Sequence, residues 1–162
     1  MLNTEDGGVV SYDAGNDAPK HINSDKIIGF DCTLSYIDAV FDEENELEGR
    51  VYKLCAILKD ELVKVDFSFR KRIEGGEKHE FFTDVSFMKK LHAVVSKYDI
   101  AKYNGYCHRV SGLPDMYGEC IDIRYASGES IYAFDNQDGF LPTEVGAEMI
   151  KIFAGGNKRV YK

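Results

Sequence analysis

Leu62–Tyr98 reads LVKVDFSFRKRIEGGEKHEFFTDVSFMKKLHAVVSKY, and its hydrophobic period changes part-way along. In the first part Val63, Val65, Phe67 and Phe69 alternate with Lys64, Asp66, Ser68 and Arg70. Successive side chains of an extended chain point to opposite sides, so this alternation predicts a half-buried antiparallel strand over Leu62–Arg70. Gly75-Gly76 marks a turn, and Lys78–Phe82 reads as a further strand. From Asp84 onward the apolar residues are Phe87, Met88, Leu91, Val94, Val95 and Tyr98, in steps of one and three. Those steps describe one face of an α-helix. Asp84 is its expected N-cap, with the carboxylate accepting N–H groups of the first turn. Asn104-Gly105 closes the region.

Working outward, more strands precede this segment. Lys26–Phe41 places Ile28, Phe30, Cys32, Leu34 and Tyr36 at period two, against Asp31, Thr33 and Ser35. Arg50–Lys59 is joined to the strand at Leu62 by Asp60-Glu61, a link of hairpin length. Later, Glu119–Ala126 and Glu129–Asp135 form a hairpin around Ser127-Gly128, and Pro142–Ala154 reads as a helix ended by Gly155-Gly156. Strands joined by short turns pair antiparallel. The expected fold is therefore α+β: an antiparallel sheet (a meander plus a later hairpin) with two amphipathic helices on one face. The domain is expected over 26–156. Residues 1–25, poor in large apolar groups and rich in Asn, Asp, Gly and Ser, read as a flexible acidic tail. Val9-Val10 with Tyr12 offers at most a short edge strand there. Residues 157–162 read as a frayed basic tail.

Charge separates the chain into unequal parts. The net charge of −8 is made of −10 over residues 1–48 and +2 over the rest. Such a balance repels phosphate and argues against nucleic acid or an anionic membrane as partner. No opening leader pattern and no apolar run of membrane-spanning length is present, which points to the cytoplasm and to no membrane insertion. A setting outside the cytoplasm is expected instead if a leader has been removed. Cys32, Cys55, Cys107 and Cys120 form no CxxC pair.

Each candidate chemistry is incomplete. Cys107-His108 offers a nucleophile beside a base, but neighbours in an extended chain face opposite ways. Asp115 is the third weak catalytic candidate beside them. His79, His92, His108, Cys107 and Cys120 lack the close pairing of a zinc site, and His92 reads as a surface residue on the polar flank of its helix. The acidic run Asp42–Gly49 lacks the spacing of a calcium loop. The carboxylates Asp115, Glu119, Asp122, Asp135 and Asp138 could serve glycoside hydrolysis only as a closely spaced pair. No metal or cofactor is expected. Contact residues are expected in Gly112–Gly118 and the hairpin region after it: Leu113, Asp115, Met116, Tyr117, Tyr132, Asp135, Asp138 and Phe140.

The stretch Gly118–Ala133 followed by Gly139-Phe140-Leu141-Pro142 resembles small uncharacterised bacterial proteins, of Gram-positive type. In them a Tyr-bearing hairpin with a Gly turn is followed by a Phe-x-Pro lead-in to a terminal helix. The resemblance implies a bacterial origin and supplies no activity. Together these readings predict a non-enzymatic interaction module with a protein partner. The alternatives are a small hydrolase using Cys107/His108 or loop carboxylates, and an acidic inhibitor or immunity-type protein that blocks a basic one.

Overall fold

Alternation along the strands sends one set of side chains inward, and the computed structural model shows what that set builds. It describes residues 9–12, 17–36, 49–71, 75–111 and 118–156. The elements are β1 (Val9–Tyr12), β2 (Ile27–Ser35), β3 (Gly49–Lys59), β4 (Leu62–Lys71), β5 (Gly76–Asp84), α1 (Ser86–Lys97), a 3-10 turn (Ile100–Tyr103), β6 (Cys107–Ser111), β7 (Glu119–Tyr125), β8 (Ser130–Asp135) and α2 (Thr143–Gly156). All eight strands join one sheet in the order β1-β6-β8-β7-β2-β3-β4-β5. Every neighbouring pair is antiparallel except β6 with β8. The α+β class with a mostly antiparallel sheet is as the patterns predict.

The inward set is Phe30, Cys32 and Leu34 of β2, Leu54 and Ala56 of β3, Val63, Val65 and Phe67 of β4, and Ile121 and Ile123 of β7, all buried. They form one core with Phe87, Leu91 and Val95 of α1 and with Val145, Met149 and Phe153 of α2. Phe153 sits at its centre, with ring centroids 5.0 Å from Phe87, 5.9 Å from Phe30 and 6.1 Å from Phe67. Gly146 lets α2 approach the sheet closely: a Cβ there would lie 1.9 Å from the Tyr36 hydroxyl.

Several details differ from the sequence expectation. Ile28 is exposed and Ile27 buried, because a bulge between Ile27 and Gly29 reverses the alternation at the start of β2. Asp84 closes β5 rather than occupying the cap position, which Val85 takes. Its Oδ1 still accepts the Ser86 N–H at 2.8 Å, so the expected first-turn contact is made from one residue further back. Strand β6 and its pairing with β1 were not foreseen. Residues 19–24, assigned by composition to a tail, hydrogen-bond to the turns that border β8. Asn104 Nδ2 donates to the Pro19 carbonyl at 2.8 Å, and the N–H groups of Asn23 and Ser24 donate to the Glu129 carboxylate at 2.8 and 3.0 Å. The acidic run 42–48 weighed for calcium lies outside the described residues. No helix among the described residues is long and apolar enough to cross a membrane.

Candidate functional site

The later strands bring several of the sequence-predicted residues together. In the parallel pair, Cys107 lies opposite Phe134 and His108 opposite Asp135. In the antiparallel pair, Glu119 lies opposite Asp135 and Cys120 opposite Phe134. Directly opposed residues share a face. His108, Asp135 and Glu119 therefore point inward, while Cys107, Phe134 and Cys120 point outward. The Cys107–His108 dyad is thus divided by the sheet itself.

Three of the thiols, those of Cys32, Cys55 and Cys120, are shifted away from activation. None of the four cysteines forms a disulfide. Burial pushes the Cys32, Cys55 and Cys120 thiols up, and nearby Asp31 adds to the rise for all three. An activated nucleophile needs a shift in the other direction.

Asp135, 1% exposed, is the hub of the inward cluster. Its Oδ1 accepts the N–H groups of Gln137 and Asp138, both at 2.9 Å, and lies 3.1 Å from His108 Nδ1. Its Oδ2 accepts the Tyr106 hydroxyl at 2.8 Å. Burial alone would raise the pKa of this carboxyl, but the donors outweigh it and hold it below the ordinary value.

Glu119, 3% exposed, takes the other course. Its Oε2 accepts the N–H groups of Phe140 and Leu141 at 2.9 and 3.0 Å, tying the chain that leads into α2 to strand β7. Burial pushes it up to about 7, against those two N–H groups and with help from the Asp135 charge. Asn136 completes the cluster. Its Nδ2 donates to the Val110 carbonyl at 2.8 Å and its Oδ1 accepts the Val110 N–H at 2.9 Å. It continues the β6–β8 pairing one residue beyond the end of β8. Phe140 packs against Tyr103 and Tyr106, with centroids at 5.6 and 5.4 Å.

Chemically this arrangement is a clamp on a turn. His108, Asp135 and Asp138 place one potential metal-ligand atom each within 4.8 Å of one another, the only such triad among the described residues. Both Asp135 oxygens already accept hydrogen bonds: two main-chain N–H groups on Oδ1, which also faces His108 Nδ1, and the Tyr106 hydroxyl on Oδ2. Positive N–H ends converging there suit the bare carboxylate. Glu119 and Asp135 are a close carboxylate pair, but each is committed to main-chain N–H groups.

Of the other predicted contact residues, Tyr132 stands on the outward face, 44% exposed. Asp138 is exposed and Phe140 half-buried. Leu113, Asp115, Met116 and Tyr117 lie outside the described residues. Sequence reasoning missed Tyr106 and Asn136 because they act through β6, whose short sequence CHRVS carries no clear alternation. His79 and His92 sit on β5 and α1, apart from this cluster. His92 is half-buried on its helix, with Nδ1 sealed from solvent.

The chain shows no significant similarity to any family model, curated protein or solved structure.

Proposed function

We propose that this protein is a non-enzymatic interaction module that binds a basic protein partner across the outward face of the sheet. The helices are taken as covering one face, which leaves the other for association. The observation that carries this reading is a line of directly opposed side chains: Tyr132, Asp122, Asp31, Cys55, Asp66 and Glu80, running from β8 to β5. Asp122 and Asp31 are like charges directly opposite one another, an arrangement that costs a sheet stability. Burial raises the Asp31 pKa, with the Asp122 charge as the next cause; Arg124 and Lys53 partly offset it. A cationic side chain from a partner would relieve the repulsion. Tyr132 beside the acids offers a rigid aromatic anchor of the kind that dominates interface energies. The overall charge of −8 would steer such a partner.

The reading is tested by retaining partners from a bacterial lysate on the immobilised protein. Tyr132→Ala and Asp122→Asn are each expected to reduce retention of a basic protein about tenfold. Their stability should stay within about 0.5 kcal/mol of the parent. Retention should also weaken as salt is raised. Undiminished retention by both variants, or indifference to salt, would count against it.

A further inference from the structure

Strand β5 stands at one end of the sheet order, and among the described residues no strand pairs with its outer side. It is nine residues long and follows β4 without a shift of register, from Leu62 opposite Asp84 to Arg70 opposite Gly76. The strand at the other end, β1, has only four residues. Along an edge strand, alternate residues turn their main-chain N–H and C=O groups away from the sheet, where a further strand can bond to them. Proteins blunt such edges by shortness, proline, a bulge or charge. Strand β5 is long, unbulged and free of proline, so only charge is left to guard it.

Charge guards an edge against a second copy when like meets like across the new pair. The spacing in β5 does the reverse. Lys78 and Glu80 stand two residues apart on the outward face, both exposed, and pair with each other at 3.2 Å. When two copies of β5 run antiparallel about a two-fold axis at His79, Lys78 of each copy falls opposite Glu80 of the other. The four charges then alternate in sign. The same register sets Phe82, 43% exposed, opposite Gly76 of the other copy. A ring laid across a strand onto an edge glycine is a stabilising pair, and here it takes an exposed Phe out of water. Moving the axis to Lys78 or to Glu80 sets like charges face to face and removes the Phe82–Gly76 match.

We propose that β5 is a self-complementary edge, through which two copies of this chain join into one continuous antiparallel sheet with their helices on the same side. The joint is isologous, as a two-fold contact requires. It goes beyond the interaction face: Tyr132 and Asp122 belong to β8 and β7, toward the other end of the strand order, and do not enter it.

The full chain is followed by sedimentation equilibrium from micromolar to millimolar concentration, with amide exchange read along β5. The parent should dimerise, and the β5 amides should gain protection as the dimer fills. Glu80→Lys and Lys78→Glu should each weaken self-association at least about tenfold, because each sets like charges opposite. Both variants should melt as the parent monomer does. Mixed in equal amounts they should form a heterodimer, since the two strands then carry opposite charge at both positions. Tyr132→Ala should dimerise as the parent does. A parent that stays monomeric throughout, a dimer whose β5 amides gain no protection, undiminished association in both single variants, or no heterodimer from two folded variants would each overturn the proposal.

Discussion

His108 and His92 occupy opposite situations. His108 lies against Asp135, whose two oxygens are filled by the Tyr106 hydroxyl, the His108 ring and two main-chain N–H groups. His92 lies against Tyr125, and each of the two residues keeps a buried polar atom without a partner among the described residues. The first cluster looks more like an active site in sequence, since it gathers His, Asp and Glu from neighbouring strands. Its bonding shows that it is spent on holding the turn after β8. The second is a lone helical His and a strand Tyr, and it is the one with bonding capacity left over. Residue type marks where chemistry could occur; satisfaction of each atom marks where it is still available.

The largest effect that could break this contrast is at Asp135. Asp135→Ala leaves two main-chain N–H groups and the Tyr106 hydroxyl without their acceptor, and should cost about 4 kcal/mol in urea unfolding at neutral pH. A loss below about 1 kcal/mol would mean the cluster is not the clamp described.

Next comes the pH dependence of Glu119. Its folded pKa stands at about 7 against an ordinary 4.5. The folded protein therefore keeps a proton that the unfolded chain releases. This contribution is complete below about pH 4.5 and is lost as pH rises through about 7, by on the order of 3 kcal/mol. Asp135, held low, has the opposite sign: its contribution is complete above about 3.8 and is lost as pH falls through its folded pKa. Glu119→Gln should flatten the stability profile between about pH 4.5 and 7 and leave the acid limb in place. An unchanged slope in that variant would assign the titration elsewhere.

Asn136→Ala should cost about 2 kcal/mol, because it strips partners from both main-chain groups of Val110. Amide exchange at Val110 would report the loss directly. The smallest effect sharpens the other side of the contrast. Tyr125→Phe removes a hydroxyl that has no partner among the described residues, so the variant's stability should equal or exceed the parent's by up to about 1 kcal/mol. A clear destabilisation would show that the hydroxyl is already satisfied.

Much of the architecture was legible. The alternation of Val63, Val65 and Phe67 and the helical spacing of Phe87, Leu91 and Val95 fixed β4 and α1, because burial of one face imposes the period of the element on its sequence. The hairpin at Ser127-Gly128 was legible too, since Gly128 adopts φ 90° and few other residues accept that conformation. The site was less so. Tyr132, Asp135, Asp138 and Phe140 were singled out only on grounds of residue type in a loop-rich region. Those grounds do not distinguish a clamped carboxylate from a free one.

What local sequence could carry was element type and inward face, for both depend on near neighbours. Strand β6 depends instead on partners 26 and 27 residues away: the Asn136 side chain bonded to Val110, and Asp135 opposite His108. Pairing across such distances is set by the packed sheet, not by propensity. The same is true of each polar atom's fate. Whether each ring nitrogen of His108 or His92 finds a partner depends on which strands and helices the core brings together, and that arrangement exists only once the chain has closed around Phe153.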